Sequence, residues 1–366
     1  MLTRKDVIQA IVCPSTIKSF SQSQWNDLII VLRHEKLLAR FYLLLKDNQL
    51  AEYIPEPALR HCENAETLAS KQHMVVCSEI NYLKDIFVDV DFKLLLLKGA
   101  AYVYTQNSAS IGRVFSDIDV LVPKEALTSS ESRLAIHGWL SKHLDDYDDK
   151  YYREWSHEVP PLQHGNRGTV LDLHHNLVPP VSGKAIDINL FLNAAAIEHN
   201  GVMVLTDAGM FFHSAIHLLF NDDFSASFRD MTDLRLLVSG QNDNFFETLF
   251  EIHKVAGFEK ESFMALLLLK EEYDVLLPDW VITHILQSPI KITNFELALL
   301  QRVVGPKHQL LREGEQSFNH VLAQARGHYL KMPPHILVFH SSMKLFRAVT
   351  KLLFGEHIFT KATPPN

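Results

Sequence analysis

The sequence of 366 residues has only three cysteines, Cys13, Cys62 and Cys77, and none of them belongs to a Cys-x-x-Cys pair. This excludes a disulfide framework and a zinc knuckle, which both need more cysteines at closer spacing. Sparse, unpaired cysteines are typical of proteins from a reducing compartment. We therefore expect a cytoplasmic protein.

Long hydrophobic runs are also missing. No stretch reaches the roughly 18 apolar residues that a membrane-spanning helix requires. The N-terminal residues MLTRKDVIQAIVCPS break their apolar run at Asp6 and Gln9, which does not fit a signal peptide. We expect a soluble chain without internal repeats, long enough for two or three structural units.

Positive charge is scarce over most of the chain. Asp and Glu number 43 against 35 Lys and Arg, which gives a net charge of −8. This excludes the global positive field that many nucleic-acid-binding proteins carry. Residues 301–366 differ, because nine Lys and Arg face only three Asp and Glu there. This basic C-terminal region predicts contact with a polyanionic partner.

Hydrophobic periodicity divides the chain into three regions. Residues 1–85 place apolar side chains at helical spacing, as in WNDLIIVLRHEKLLARFYLLLKDNQL. Residues 86–195 alternate predicted strands and helices, beginning with the apolar run at residues 94–97, which suits a strand buried on both faces. Residues 196–366 return mostly to helical spacing. The predicted fold is α+β, with a small mixed sheet and flanking helices between two mainly helical regions.

Within the central region, SDIDVLVP predicts a strand that ends at Pro123, and KEALTSSESRLAIHGWLSKHL predicts a helix after it. The acidic, aromatic stretch DDYDDKYYREWSHEVPPLQHGNRG has little periodicity and predicts a turn between Gly165 and Gly168. TVLDLHHNLVPP alternates apolar and polar residues, which predicts a strand with one solvated face.

Three carboxylates, Asp117, Asp119 and Asp172, fall at these strand positions. Residues two apart on a strand point to the same face with Cα atoms about 6.6 Å apart, so Asp117 and Asp119 can converge. Two ionised carboxylates at that separation repel, and a divalent cation removes the repulsion. Mg²⁺ prefers hard oxygen ligands, and pairs of such ions clamp in-line phosphoryl displacement. We predict that the three aspartates are metal-binding and catalytic.

The Lys98-Gly99 turn fits the same chemistry. A glycine after a buried strand lets the backbone approach a phosphate, and the N–H groups that open the next helix attract anions. Lys98 and Arg113 can neutralise the charge of a triphosphate. We predict nucleotide binding at Lys98, Gly99 and Arg113. The simpler alternatives are a strand-end lysine directed to solvent and an arginine paired with Asp117 or Asp119.

The order of apolar strand, LLKG, helix, arginine, DIDVLV and LDLHHNL resembles the uncharacterised nucleotidyltransferase family of the polymerase-β-like superfamily. The likeness covers roughly residues 30–240. The matching positions are Lys98, Gly99, Arg113, Asp117, Asp119, His157, Asp172 and His174.

The resemblance implies transfer of a nucleoside monophosphate from an NTP such as ATP to a hydroxyl on a small molecule, glycan, protein or RNA. It also implies dependence on Mg²⁺ or Mn²⁺, with His157 and His174 beside the metal ligands. The wider superfamily has Gly-Ser where this chain has Lys98-Gly99. The serine hydroxyl that usually contacts a phosphate is therefore missing.

Two alternatives stay open. Asp117-Ile118-Asp119 is also the pattern through which glycosyltransferases bind a nucleotide sugar with Mn²⁺, although there the apolar strand precedes the Asp pair and here it follows. The missing serine favours a different alternative, a non-catalytic scaffold that keeps the nucleotidyltransferase fold.

Several histidines are weaker candidates. His174 and His175 lie on opposite faces of a predicted strand, so at most one faces the site. His213 and His217 are spaced i, i+4 on a predicted helix, but no glutamate follows His213 as in zinc proteases. We expect hydrogen bonding within the core for this pair.

Charged residues of the C-terminal region have ordinary interpretations. Arg229, Asp230 and Asp233 lie in a helical stretch that the resemblance places close to the core. We expect surface ion pairs there, with contact to a base or to the acceptor as the alternative. HSSMKLFRAVTKLLF predicts a basic amphipathic helix that docks on the body or contacts an anionic membrane or nucleic acid. Its apolar side consists of Leu345, Phe346, Val349, Leu352 and Leu353.

Overall fold

A computed structural model describes residues 1–141, 146–312 and 317–354. These residues form a seven-stranded mixed sheet with α-helices before, around and after it, which confirms the predicted α+β fold. The strands are β1 (Leu95–Leu96), β2 (Ile118–Leu121), β3 (Trp139–Ser141), β4 (Leu162–His164), β5 (Val170–His174), β6 (Ala196–His199) and β7 (Val202–Leu205). The helices are α1 (Arg4–Val12), α2 (Gln22–His34), α3 (Leu38–Asp47), α4 (Glu56–Ile86), α5 (Lys98–Tyr104), α6 (Leu127–Ile136), α7 (Asp146–Trp155), α8 (Ile188–Ala195), α9 (Asp207–Leu219), α10 (Ser227–Val238), α11 (Asp243–Ala256), α12 (Glu259–Glu272), α13 (Asp279–Gln287), α14 (Asn294–Val303), α15 (Ser317–Lys331) and α16 (Pro334–Phe354).

Helices α1 to α4 form the N-terminal region, as the helical spacing predicts. Two of them begin with reciprocal caps: Thr3 and Asp6 exchange side-chain and backbone hydrogen bonds at α1, and Ser21 and Gln24 do so at α2. Helix α4 packs against α3 and also against α5, the helix that follows the first strand. The N-terminal region is thereby attached to the sheet at the point where the predicted nucleotide turn lies.

The strand order across the sheet is β3-β4-β5-β2-β1-β7-β6. Strand β2 lies near the middle, parallel to β5 on one side and antiparallel to β1 on the other. Strand β1 is in turn parallel to β7. All four residues of β2 are buried, so any polar side chain on it must find a partner within the protein.

Two elements between residues 124 and 155 differ from the sequence interpretation. The helix predicted after Pro123 ends at Ile136, because a turn with Gly138 at φ 86° follows and residues 139–141 pair with β4 as an edge strand. The stretch without periodicity contains helix α7. Charges stabilise that helix, since Arg153 bonds Asp149 within α7 as well as Glu131 of α6.

The sheet continues past residue 195. Strands β6 and β7 form a hairpin that closes at Asn200-Gly201, where φ is 48° and 85°. Asn-Gly between two strands is a strong local hairpin signal, because both residues tolerate positive φ. The helical interpretation of this region overlooked that signal.

Helix α9 is buried along most of its length and packs against α10, α11 and α12. At the C-terminal end, α16 rests on α7 through His340, whose ring lies 4.9 Å from that of Tyr151. No helix in the described ranges is both long and apolar enough to cross a membrane.

Most of the apolar side of α16 is exposed among the described residues, although Phe339 lies against Trp155 of α7. The side chains of that apolar side are between 45% and 86% exposed, so the expectation that this side packs against the protein is wrong. The exposed residues are Val338, Phe339, Leu345, Phe346, Val349, Leu352 and Leu353.

Candidate active site

Three carboxylates meet at the centre of the sheet, and we call Asp117, Asp119 and Asp172 the aspartate group. Asp119 lies in β2, and the parallel register places Asp172 of β5 directly beside it. Asp117 precedes β2 by one residue, and all three side chains line the same cleft. Two neighbouring strands therefore bring together residues that are more than fifty positions apart in the sequence.

Asp119 is the best-paired member of the aspartate group. The Lys98 amine donates to its Oδ1 atom at 2.6 Å, and His174 Nε2 is 3.0 Å from the same oxygen. Burial alone would raise the pKa of Asp119, but Lys98 and His174 outweigh it and hold that pKa well below its ordinary value. Asp119 is therefore a carboxylate anion in the folded protein.

Asp117 and Asp172 are less well compensated. Burial and the charge of Asp119 raise the pKa of Asp117, which accepts a hydrogen bond from Ser116 Oγ at 3.1 Å. Burial, then Asp119 and Glu158, raise the pKa of Asp172 to about 7. Asp172 Oδ1 is buried and has no hydrogen-bond partner among the described residues. The aspartate group thus carries more negative charge than its neighbours offset, and its oxygen atoms suit a divalent cation.

The turn before the site has an unusual backbone. Lys98 adopts a φ of 45°, a left-handed conformation that is uncommon for a residue with a side chain. It directs its amine at Asp119 and not to solvent, since its side chain is 17% exposed. At Gly99, a Cβ atom would lie 2.6 Å from Arg113 Nε and 2.7 Å from the Phe115 ring. The glycine is required for close packing against these two side chains.

Arg113 is buried and pairs with Asp233, not with Asp117 or Asp119. Its guanidinium also lies over the rings of Tyr102 and Phe115, at 5.5 Å and 6.0 Å from their centroids. Burial and, after it, the nearby Arg229 lower the pKa of Arg113 to about 10. Arg113 is thus a charged side chain held within the cleft wall.

A second arginine shares the same carboxylate, and we call Arg40, Arg113 and Asp233 the arginine network. Arg40 Nη1 is 2.7 Å from Asp233 Oδ1, and both side chains are almost fully buried. The rest of the Arg40 guanidinium donates to the carbonyl groups of Ile111 and Ala109 at 2.9 Å and 2.6 Å. The network joins α3, the loop before β2 and α10.

Sequence reasoning missed Arg40 and placed Asp233 on the surface. A signal for Arg40 was present, because it interrupts the apolar run LLARFYLLL and so falls on a buried helix face. The neighbours of Asp233 in α10 are also partly buried. Arg229 pairs with Asp230 at 3.0 Å, and their side chains are 14% and 17% exposed. The expected surface ion pairs are therefore parts of the cleft.

The cleft between the sheet and helices α9 and α10 has a volume of about 310 Å³. Its walls include the aspartate group, Lys98, Arg113 and Arg229, so both signs of charge face the same space. Ser214 and His217 of α9 line it as well. His217 is neutral, because burial and Lys98 hold its pKa well below its ordinary value.

A separate convergence of ligand atoms lies next to the aspartate group. One atom from each of His157, Glu158 and His174 lies within 4.8 Å of the others. The three side chains of the aspartate group do not each offer an oxygen within 4.8 Å of the other two. The Oδ1 atom of Asp119 contacts Lys98 and His174 instead. His175 faces away and lines a different pocket, as the strand alternation predicts.

The predicted partners of the site are thereby located. Lys98 and His174 contact Asp119, and the His157 ring lies 5.2 Å from that of His174. Arg113 lines the same cleft. Sequence reasoning did not single out Glu158, although it follows His157 directly and lies opposite His174 in an antiparallel bridge. An isolated bridge leaves no strand-length pattern in the sequence.

Comparison with known proteins adds the family. A search of curated proteins gives no match to the chain. A family model described as "Uncharacterised nucleotidyltransferase" matches residues 21–274, a range that includes every residue lining the cleft. The match covers more than half of the chain and agrees with the motif resemblance, so the protein belongs to the uncharacterised nucleotidyltransferase family.

Proposed function

We propose that this protein transfers a nucleoside monophosphate from an NTP to a hydroxyl group of an acceptor, with Mg²⁺ or Mn²⁺ bound by the aspartate group. The observation that carries the proposal is the uncompensated carboxylate charge on two adjacent strands, with Asp172 Oδ1 buried and unpartnered. Family membership supports the same reaction class. A bound divalent cation would supply charge stabilisation for the transferring phosphoryl group.

The chain's own residues would bind and orient the triphosphate. Lys98 is charged, because Asp119 keeps its pKa above the ordinary value against the effect of burial. With Asp119 as a ligand of a bound cation, the Lys98 amine would be available to bind a phosphate oxygen. Arg229 faces the same space from α10. Burial lowers the pKa of Arg229, but Asp230 and, after it, Asp117 and Asp119 outweigh burial and raise that pKa above its ordinary value. Lys98 and Arg229 would hold the phosphates from two sides.

Gly99 and Arg113 stay in the proposal with adjusted roles. Arg113 shares Asp233 with Arg40, so its positive charge is only partly offset, and it would face the cleft as a fixed donor. Gly99 lets the Arg113 side chain come close to the Lys98 turn. Catalysis would rest on positioning and charge stabilisation, which is the pattern for phosphoryl transfer in general.

The volume of the cleft limits how much of a substrate it can enclose. A volume of about 310 Å³ lies at the lower end of the range for small-molecule sites and accommodates a nucleotide only in part. The acceptor would therefore approach from the open side of the cleft. ATP as the nucleotide, the cytoplasmic location and a polyanionic contact of the C-terminal region stay predictions.

A catalytically inactive scaffold is the second candidate. The observation that favours it is the Lys98–Asp119 ion pair, which occupies a carboxylate that the metal would need. The nucleotide-sugar alternative gains no comparable support from the described residues.

The proposed function is tested by incubating the purified protein with each labelled NTP, Mg²⁺ or Mn²⁺, and a lysate of its own host. The wild type should transfer label to an acceptor. The rate of transfer should fall by at least about 100-fold in Asp117→Asn and Asp172→Asn, because each variant removes a charged ligand of the cation that would stabilise the transition state. Asp91→Asn is the matched control, since Asp91 is exposed and does not line the cleft.

Two results would contradict the proposal. Transfer that persists undiminished in both variants would show that the aspartate group is not catalytic. Tight NTP binding by the wild type without any transfer would favour the scaffold.

A further inference from the structure

The segment that contains His157 and Glu158 is fixed beside β5 by the backbone. Val159 N donates to Leu173 O at 3.0 Å, and His175 N donates to His157 O at 2.8 Å. Glu158 and His174 are thereby directly opposite each other. Opposed residues of antiparallel segments bring their side chains close together on one face. The bridge therefore places Glu158 beside His174, and one ring nitrogen of His157 lies within 4.8 Å of a ligand atom of each.

Both imidazole rings of this cluster have a buried nitrogen without a hydrogen bond. Nδ1 of His157 and Nδ1 of His174 have no hydrogen-bond partner within the described part of the chain. His174 is only 1% exposed, so water does not satisfy its nitrogen from outside. The ring centroids are 5.2 Å apart, and His174 Nδ1 is 3.5 Å from Glu158 Oε2. Unpaired buried polar atoms are costly, and two of them beside a carboxylate indicate a shared ligand.

The second nitrogen of His174 determines where its lone pair points. Nε2 lies 3.0 Å from Asp119 Oδ1, close enough to donate its proton to that carboxylate. Metal binding would take the neutral form of His174, in which the proton stays on Nε2 and the lone pair of Nδ1 faces Glu158. A histidine that donates one nitrogen to a carboxylate and offers the other to an ion is the common arrangement at protein metal sites.

We propose that His157, Glu158 and His174 bind one divalent transition-metal ion of the Zn²⁺ class, at a site separate from the aspartate group. Two imidazole nitrogens and one carboxylate oxygen suit Zn²⁺, whereas Mg²⁺ prefers oxygen ligands alone. The Glu158 side chain lines the cleft and is 24% exposed, which gives the ion a path of entry and leaves a position for water.

This site does not depend on the proposed transferase activity. The ion would hold His174 in place, and His174 in turn holds Asp119. Its role would be to position the central member of the aspartate group.

The proposal is tested with the full chain, stripped of metal by a chelator and then titrated with Co²⁺ in a large excess of Mg²⁺. Co²⁺ substitutes for Zn²⁺ and absorbs visible light strongly when few ligands, including imidazole nitrogen, surround it. The excess Mg²⁺ occupies sites made of oxygen alone. We expect one equivalent of Co²⁺ to bind with a visible absorption band, and Zn²⁺ to displace it.

Three variants and two controls assign the ligands. His157→Gln, His174→Gln and Glu158→Gln should each weaken Co²⁺ binding by more than about 100-fold, since even the loss of an outer partner costs 10- to 100-fold. Glu158→Gln carries the smallest risk to folding, because its side chain is the most exposed of the three. His137→Gln, at an exposed histidine, and Asp117→Asn, in the aspartate group, should bind as the wild type does.

Each other result overturns the proposal. Equal Co²⁺ binding by the wild type and a folded Glu158→Gln variant would remove Glu158 and the cluster from the site. Binding that is lost in Asp117→Asn but survives in Glu158→Gln would assign the ion to the aspartate group. A folded wild type that binds no Co²⁺ in excess Mg²⁺ would mean that the histidines are hydrogen-bonding residues only.

Discussion

The aspartate group and the arginine network are two sets of charged residues at one cleft, and they differ in how the charge is compensated. In the arginine network, Asp233 pairs with both guanidinium groups, and backbone carbonyl groups accept from Arg40. In the aspartate group, one lysine and one histidine serve three carboxylates, and Asp172 Oδ1 has no hydrogen-bond partner within the described ranges. In the first set each arginine has a carboxylate within salt-bridge distance, although Arg113 Nε, Arg113 Nη1 and Asp233 Oδ1 have no hydrogen-bond partner among the described residues. In the second set, no described cationic side chain lies within salt-bridge distance of Asp117 or Asp172.

This difference separates structural from functional charge. Arg40 and Asp233 come from α3 and α10, so their contact fixes two helices that otherwise belong to different parts of the chain. The aspartate group lies within one sheet, whose backbone ladder holds it without help from the charges. We therefore expect changes in the network to alter stability, and changes in the aspartate group to alter ligand binding.

The largest expected effect is on the network. Asp233→Asn should lower the free energy of unfolding by about 3–5 kcal/mol, because it leaves two buried arginines without their charged partner. Urea unfolding measures the loss. Asp117→Asn is the matched control and should cost less than about 1 kcal/mol, because the folded protein already disfavours the ionised form of Asp117. Equal losses in the two variants would erase the distinction between the two sets of charges.

A smaller effect on stability should appear when Mg²⁺ is added. Mg²⁺ at about 100 times its dissociation constant should stabilise the wild type by about 2.7 kcal/mol, since it binds only the folded protein. Thermal unfolding with and without Mg²⁺ measures this gain. Asp117→Asn and Asp172→Asn should lose most of it, whereas Arg40→Lys in the network should keep it. A gain that is the same in all four proteins would place the Mg²⁺ site elsewhere.

The aspartate group was predictable from the sequence for a physical reason. Each member lies in or next to a strand with a strong apolar pattern, and the chain order of strands in a resembling family gives their adjacency. The arginine network has no such local pattern. Arg40 lies in an N-terminal helix and Asp233 in α10, and a side-chain contact between distant helices leaves no periodicity in either one.

Elements held together by polar contacts were also hard to predict. Helix α7 carries charged residues at more than half of its positions, and Arg153 pairs with Asp149 and Glu131. The charges obscured an aromatic stripe at helical spacing, Tyr147, Tyr151 and Trp155. The bridge between Glu158 and His174 is a single residue pair, too short for any alternation. The β6–β7 hairpin is a different case, because Asn200-Gly201 is a local hairpin signal. The sequence interpretation gave more weight to the helical pattern of the surrounding region.

The smallest effect concerns Gly99, which lies where the two sets of charges meet. Gly99→Ala would place a Cβ atom 2.6 Å from Arg113 Nε and 2.7 Å from Phe115 Cε1, so we expect a loss of about 1–3 kcal/mol from overpacking. Gly165→Ala is the control, since its nearest neighbour, Gly138 O, is 3.9 Å away. If thermal unfolding shows no loss in Gly99→Ala while NTP affinity falls, the glycine serves phosphate approach and not the packing of the arginine network. If Gly99→Ala loses stability and Gly165→Ala does not, the main role of Gly99 is to let Arg113 pack against the Lys98 turn.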